Sequence, residues 1–494
     1  MWENKNPLNS SCALVAALFF ISGSFAAAAE QAPALAQLRG APVELAIPVP
    51  DIPYKPSFAM EYAHYRGKLV VGIDFNRELM HTLLHLSDYG AKLRAGEMPE
   101  LAGAALKELG QFKAHPAVLE LEAGAPLNWD NKFSYGYFSS YSQHFSRLPE
   151  GRRIYEYSDD FLNRVLRGMP KAKKIEYLDA YWEKVRDFYL KAGYEAFFKN
   201  HGDRYRSYSD TVYASLPPLD IVKAHEDYHG TSAAGHFFIV PSPLSMPTGG
   251  SFGGPMGGSV FNYMGYGFDS SETIAYLGLH EFGHSFCNPV SDKYAAEAAK
   301  YAFIIEGIQE EMISQKYGTS WETVMAELLV RSVHARLLLK SEGREAAELF
   351  LLDEKYRYKF VFIEDFYALL EEYENNRAKY PTLSEFYPKL LASLADWDLA
   401  EVTEAEDPKI WTLPAGSGLK IAWANPKGSG YAAGLRDNDI VTAADGAVPG
   451  NSFFVTLEPN RTYTLTVTHA GGGPEIITLQ TRPRTLKRPI RLPS

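Results

Sequence analysis

The sequence predicts an α+β fold, in which a large, mainly helical domain containing a small sheet precedes a small β-rich domain. Long amphipathic stretches such as residues 171–199 favour helices over most of the chain up to about residue 400. Within that part, the short apolar runs at 69–73 and 236–240 suit strands. Past Asp407, short β-rich stretches such as 461–468 alternate with turns. We therefore expect domains at 58–400 and 408–494.

The composition excludes one broad class of partner. The 494 residues include 60 acidic and 49 basic side chains, which gives a formal net charge of −11. Binding to nucleic acid without regard to sequence needs lysine and arginine in excess, because these side chains displace phosphate counterions. We therefore expect no nucleic-acid partner.

The N-terminal residues resemble a targeting segment rather than part of the fold. Residues 1–29 contain an apolar run at 13–21 and the small residues Ala26–Ala29, which are typical of a secretory signal peptide. The alternative is a membrane anchor, but the run is shorter than the roughly 20 apolar residues that a span requires. The sequence predicts an exported, periplasmic or secreted protein without a transmembrane segment in the mature chain.

The chain after the signal peptide begins with a linker and contains a single cysteine. Residues 30–57 are rich in proline and alanine, which favours an extended linker over a helix. Cys287 is the one cysteine that remains, so no internal disulfide forms and stability depends on a packed core. We interpret Cys287 as a core residue rather than a metal ligand.

The motif that carries chemistry is His280-Glu281-Phe282-Gly283-His284. On a helix, His280 and His284 lie one turn apart on the same face, where two imidazoles can ligate one zinc ion. Glu281 lies beside them and can take a proton from water at the metal.

A second match to this pattern occurs at residues 225–229, and the context distinguishes the two. Asp269 and Glu272 form a capping-box-like arrangement ahead of the motif at 280–284, and an apolar back face follows. The match at 225–229 has Gly230 directly after it, which indicates a helix end. We assign the metal site to 280–284 and leave 225–229 as a weaker alternative.

A catalytic zinc site needs a third protein ligand and one open position. Glu327 and Glu306 are the candidates, because each lies within an apolar run and a buried charge needs a partner. Thr319 and Glu322 form a capping box that starts the helix of Glu327. The alternative for Glu327 is a structural salt bridge with Arg331 at i+4.

The motif followed at a distance by a glutamate on a second helix resembles the gluzincin zinc metallopeptidases. The stretches 280–289 and 326–332 also resemble an exported bacterial family of unassigned function, in which a Glu-x-x-Val-Arg segment follows the zinc motif. This resemblance implies a zincin-like fold for residues 58–400 and ranks Glu327 above Glu306. In the thermolysin-like pattern an aspartate occupies the position of Arg331, so the residues around the ligands must differ.

Together, these residues predict zinc-dependent peptide-bond hydrolysis. His280, His284 and Glu327 would hold Zn²⁺, and Glu281 would act as the general base. A donor to the developing oxyanion is also expected. The candidates are His334, Arg331, Tyr263 and Tyr266.

Residues 408–494 resemble a bacterial PDZ domain. The resemblance is found in residues 416–421 and 428–441. In the second stretch, we expect Gly434 to end a short helix, Leu435 to enter the core and Asp439 to turn the chain into a strand. The resemblance implies that an extended peptide, such as a protein C-terminus, binds at a sheet edge near 416–419. The alternative is a packing module that binds no peptide.

Two further functions remain open. The protein could be a catalytically inactive, zinc-containing peptide-binding protein, or a zinc amidase that acts on cell-wall material. The glycine-rich stretch 249–267 lacks the ending of a phosphate-binding loop, so it does not predict nucleotide binding. It is either a flexible loop or an edge strand that brings backbone close to a substrate.

Overall fold

The structure, a computed structural model, is α+β, with helices in the first four-fifths and strands dominating the last fifth. The predicted signal peptide at 1–29 and linker at 30–57 lie outside the described residues. Those described are 59–93, 98–122, 140–217, 219–233, 235–245, 252–256, 259–265, 271–315, 317–469 and 472–492. Among these residues, no helix combines the length and the apolar character that crossing a membrane requires.

The helices, numbered along the chain, are α1 Phe75–Leu86, α2 Asp88–Leu93, α3 Glu100–Leu109, α4 Pro116–Leu119, α5 Asp159–Arg164, α6 Lys171–Ala192, α7 Tyr194–Asn200, α8 Gly202–Ala214, α9 Ile221–His229, α10 Ser271–Lys293, α11 Ala295–Ala298, α12 Gln309–Ser314, α13 Trp321–Ser341, α14 Arg344–Tyr356, α15 Ile363–Asn375, α16 Leu383–Ala392 and α17 Ser429–Ala432. Short 3-10 segments join several of them, including Ala299–Gly307.

The strands are β1 Met60–Arg66, β2 Leu69–Asp74, β3 Phe237–Pro241, β4 Phe252–Met256, β5 Ser259–Met264, β6 Trp397–Ala405, β7 Ile410–Ala415, β8 Gly418–Ala424, β9 Ile440–Ala444, β10 Thr462–Thr468, β11 Pro474–Gln480 and β12 Pro483–Arg491. They form two five-stranded sheets, ordered β1-β2-β3-β5-β4 and β11-β10-β9-β8-β7, and a ribbon of β12 with β6.

The described chain divides into two compact units. One comprises residues 59–223 and 232–282, and the other comprises 224–231 and the chain from residue 283 onward. The helix α10 begins in the first unit and continues without interruption into the second.

The first unit is built on the sheet β1-β2-β3-β5-β4. Strands β2, β3 and β5 run parallel, and every residue of β2 and β3 is buried, as expected for parallel strands covered on both faces. Asp74 ends β2 and caps α1 by accepting the backbone N–H of Arg77 at 2.8 Å. The Arg77 side chain donates to the carbonyls of Val240 and Met264, which secures the carboxyl ends of β3 and β5.

Two predicted helices are each divided in the structure. The segment predicted as one helix over 76–93 breaks at Ser87, whose extended backbone ends α1 and whose N–H still bonds to α1 carbonyls. The segment 171–199 breaks at Gly193, which adopts a left-handed conformation with φ +62° between α6 and α7. A glycine tolerates that conformation without steric cost. The strands predicted at 69–73 and 236–240 are confirmed as β2 and β3.

The glycine-rich stretch contains the edge of this sheet. Strand β4 pairs antiparallel with β5 from Phe252 to Met256 and is the last strand of the sheet among the described residues. Of the two interpretations of this stretch, an edge strand is confirmed for 252–256, and residues 246–251 and 257–258 lie outside the described chain.

The second unit contains an antiparallel sheet with its own apolar core. Leu419, Leu435, Val441 and Leu465 are buried in it. As predicted, α17 ends near Gly434, which has φ +116°, and the Asp439 carboxylate accepts the Arg436 N–H at 2.8 Å just before β9. Strand β8, which follows residues 416–417, lies between β7 and β9, so the edges of this sheet are β7 and β11.

Strands β6 and β12 enclose this sheet in the sequence, because β6 leads into it and β12 follows its last strand. They pair along their whole length, from Trp397 with Arg491 to Ala405 with Pro483. Arg488 of β12 also donates to the carbonyl of Gly307 at 2.8 Å, so the ribbon contacts the 3-10 segment Ala299–Gly307. The chain enters and leaves its β-rich part through one paired ribbon.

Candidate metal centre

The helix α10 carries His280 and His284 one turn apart on the same face, as their spacing predicts. Its opposite side is apolar, and Leu279, Phe282 and Phe286 are buried. The helix continues to Lys293, with Pro289 inside it. The predicted cap Asp269 lies outside the described residues.

The helix α13 supplies Glu327 from its second turn. Its cap is Ser320, one residue later than the predicted Thr319: the Ser320 hydroxyl accepts the Thr323 N–H at 3.2 Å and donates to Glu322 at 2.8 Å. The cap is therefore shifted by one residue, and the predicted capping box is wrong, because the residue three positions after Ser320 is Thr323 and Glu322 instead accepts from the Ser320 hydroxyl. A serine cap followed by an acidic first turn fixes where α13 begins, and with it the direction in which Glu327 projects.

The structure brings the three predicted ligands together. The nearest donor atoms of His284 and Glu327, Nε2 and Oε1, are 3.5 Å apart, and one ligand atom from each of His280, His284 and Glu327 lies within 4.8 Å of the others. Donors bound about 2.0–2.2 Å from one tetrahedral ion lie roughly 3.3–3.6 Å apart, so the spacing suits a metal with little movement. Two imidazoles and a carboxylate are also a common catalytic donor set. These residues could hold a metal ion.

His284 is oriented by a neighbour on its own helix. The ring Nδ1 lies 3.1 Å from the Asn288 side-chain oxygen, one turn further along α10. An amide oxygen only accepts, so Nδ1 carries a proton, and Nε2, which faces Glu327, is the nitrogen left to ligate a metal. This is the tautomer that a ligand through Nε2 requires.

Glu327 is held from behind by Arg331. The Arg331 Nη2 donates to Glu327 Oε2 at 3.2 Å and to the Tyr317 hydroxyl at 2.5 Å, and Nη1 donates to both oxygens of Glu354 at 2.5 and 2.6 Å. The salt bridge that was the alternative role of Glu327 is present together with its approach to His284. Burial raises the pKa of Glu354 to about 7, against the lowering effect of Arg331.

Glu306, the other candidate for the third ligand, does not belong to the group formed by His280, His284 and Glu327. Its side chain is 56% exposed and forms an ion pair with Lys487 at 2.7 Å. The expectation that Glu306 is buried is wrong, because its segment folds as the 3-10 turns Ala299–Gly307 and directs it toward the basic strand β12.

The second motif match occupies the last turn of α9, as predicted for a helix end. His229 and His225 pack against Phe286, at ring-centroid distances of 5.1 and 5.3 Å. His229 Nδ1 bonds to the His225 carbonyl, and Nε2 lies 3.3 Å from Cys287 Sγ. Burial lowers the pKa of His229 to about 4, and it raises the pKa of the Cys287 thiol. These side chains belong to the helix packing of the core.

The four oxyanion-donor candidates have different surroundings. Arg331 is engaged by three side chains, as described above. His334 is buried against Phe350, and burial together with Arg331 lowers its pKa to about 3. Tyr263 is buried on β5 and donates to Gln143, and Tyr266 lies outside the described residues. The donor to the developing oxyanion therefore stays a prediction.

Three residues around the site were missed by sequence reasoning. Asn288 had a readable signal, because it lies four residues after His284 on the same helix. Tyr317 and Glu354 had none, because they lie 14 and 23 residues from Arg331 along the chain.

Part of the chain matches a known protein family. Residues 158–393, which include α10 and α13, match a family described as a domain of unknown function (DUF4932). No curated protein matches the chain by sequence. A crystal structure of an aminopeptidase N family protein from Idiomarina loihiensis aligns at 10% identity over 55% of this chain and 63% of that one, with a TM-score of 0.20. The alignment therefore spans less than two thirds of that protein, and so low a TM-score carries no argument about fold or activity.

Proposed function

We propose that this protein is a zinc-dependent peptidase of the gluzincin type. The single observation that carries the proposal is the cluster of His280, His284 and Glu327 within 4.8 Å, with Glu281 next to the first histidine in the sequence. A site that only stabilised the fold would not need an adjacent carboxylate that ligates nothing.

The chemistry divides between the ion and the chain. Zinc, when bound, supplies Lewis acidity, which polarises a carbonyl and acidifies water. Glu281, half-buried on α10, takes the proton from the attacking water and passes it to the leaving amine. His280 and His284 lie on the same helix as Glu281, and Glu327 lies on α13. The three ligands therefore fix the position of the reacting centre relative to Glu281.

The remaining parts of the proposal concern the substrate and the location. We propose a zincin-like arrangement for the helical part, a PDZ-like role in peptide or partner binding for the β-rich part, and export through the signal peptide at 1–29. Strand edges support peptide binding, since a peptide can add to an edge by main-chain hydrogen bonds. Among the described strands, β1 and β4 lie at the edges of the first sheet, and β7 and β11 lie at the edges of the second.

Substituting Glu281 by glutamine tests the function. We expect E281Q to keep its zinc and to lose about 10²- to 10⁴-fold in the rate of peptide cleavage, because the base is removed but the ligands stay. The measurement is metal content by mass spectrometry together with cleavage of a mixed peptide library. The matched control is Glu306→Gln, which neutralises an exposed, ion-paired glutamate and should cleave like the wild type.

Three outcomes would contradict the proposal. If E281Q cleaves peptides as fast as the wild type, Glu281 is not the general base. A zinc-containing wild type that cleaves no peptide but retains peptide binding favours the inactive binding protein. Cleavage of peptidoglycan fragments, screened beside the peptides, without peptide cleavage favours the amidase.

A further inference from the structure

The strongest feature outside the ligand set is the buried ion network on the far side of Glu327. Arg331 is 3% exposed and Glu354 is 1% exposed, which is unusual for charged side chains and requires full pairing. The guanidinium also lies against aromatic rings, with its centre 4.6 Å from the Phe360 ring centroid and 5.3 Å from that of Tyr358. Its position is therefore fixed on several sides.

The geometry points to Arg331 and Glu354 as positioning residues for the metal ligand Glu327, an inference that rests on the proposed metal site. One nitrogen of the fork, Nη1, is anchored on Glu354, and the other, Nη2, reaches Glu327 Oε2. With Oε2 held by Arg331, Oε1 is the oxygen that faces His284 Nε2 at 3.5 Å. The network thus assigns one carboxylate oxygen to the arginine and the other to the metal.

This arrangement lowers the cost of binding. A free glutamate side chain loses rotamer entropy when it is fixed in one conformation. Here the conformation is fixed beforehand by Arg331, whose own conformation is fixed by Glu354 and by the Tyr317 hydroxyl. Residues that support metal ligands in this way typically change metal affinity 10- to 100-fold when they are replaced.

A purely structural ion pair makes a different prediction, and the same helix provides the comparison. Arg336, also on α13, forms two bonds to Glu374 of α15 at 2.8 and 2.9 Å, and neither residue belongs to the metal group. Both pairs tie α13 to a neighbouring helix through a largely buried arginine. Only the Arg331 pair touches a ligand.

The test compares four variants in the full-length protein. Glu354→Gln and Arg331→Lys loosen the network, the second with its charge retained but without the planar fork. Glu374→Gln and Arg336→Lys make the same changes in the control pair. The measurements are the zinc dissociation constant, by competition with a chromogenic chelator, and the melting temperature of each metal-free variant.

We expect E354Q and R331K to bind zinc 10- to 100-fold more weakly than the wild type, and E374Q and R336K to stay within about twofold. Unchanged affinity in E354Q and R331K, or equal losses in all four variants, would overturn the inference. If E354Q does not fold, the comparison of the zinc affinities of R331K and R336K tests the inference. A wild type that binds zinc but cleaves no peptide would contradict the proposed peptidase and leave this inference standing, whereas a wild type that binds no zinc would contradict both.

Discussion

At the scale of single residues, the two ligands His284 and Glu327 are each held by a neighbour four residues further along the same helix. Asn288 holds His284 from the same helix, and Arg331 holds Glu327 from the same helix, each at i+4. Both supports are therefore local. What anchors Arg331 is not local, because Glu354 comes from α14.

Replacing Asn288 tests the support of His284. We expect Asn288→Ala to weaken zinc binding about tenfold, because Nδ1–H loses its acceptor and the ring loses its fixed orientation. Asn288→Asp should restore most of the affinity, because a carboxylate accepts the same bond. Chelator competition measures both variants, and equal affinity of the alanine variant and the wild type would show that the 3.1 Å contact does not orient the ligand.

At the scale of elements, α9, α10 and α13 meet at Gly283, inside the metal motif. A Cβ atom at this position would lie 3.2 Å from His225 Cε1 on α9 and 3.3 Å from Val330 Cγ1 on α13. His225 is packed against Phe286 and Val330 is buried, so neither neighbour yields easily. The glycine between the histidine ligands is therefore explained by close helix packing.

Replacing Gly283 by alanine should destabilise the protein, although alanine favours a helix by about 1 kcal/mol over glycine. Overpacking a filled core costs about 1–3 kcal/mol, so the net cost is about 0–2 kcal/mol and we expect the melting temperature to fall by up to about 4 °C. Gly103→Ala in α3 is the control, because its Cβ would meet only the flexible end of Met98, at 3.5 Å. Calorimetry should show no fall for that variant, and a rise for Gly283→Ala would refute the packing argument.

The elements also show how far sequence reasoning reached. The helix of the motif, the helix of Glu327 and the strands β2 and β3 followed from local pattern, since spacing and apolar runs determine them. The prediction for Glu306 was wrong because its apolar neighbours in the sequence were taken to mean that its side chain is buried. In the structure its 3-10 segment leaves the carboxylate exposed, where it forms an ion pair with Lys487. Glu354 was missed because its role depends on helix packing across 23 residues of chain.

At the scale of the whole molecule, part of the acidic excess is matched to basic residues of the last strand. Glu306, Glu310 and Glu311 form ion pairs with Lys487, Arg484 and Arg488, all of β12. The pairs Glu306–Lys487 and Glu310–Arg484 are exposed, and such pairs contribute about 0–1 kcal/mol each. Arg488 and Glu311 are largely buried, at 14% and 19% exposure, and the backbone pairing of β12 with β6 adds to the attachment of the strand. These three pairs together carry no net charge, so the formal net charge of −11 belongs to the rest of the protein.

The metal content of the protein tests the central claim most directly. The wild type, stripped of metal and titrated with zinc, should bind one ion per chain by mass spectrometry. His280→Ala, His284→Ala and Glu327→Ala should each lose that ion at the same free zinc concentration, and Glu306→Ala should retain it. A wild type that binds no zinc, or a Glu327→Ala variant that binds it as tightly as the wild type, would contradict the account.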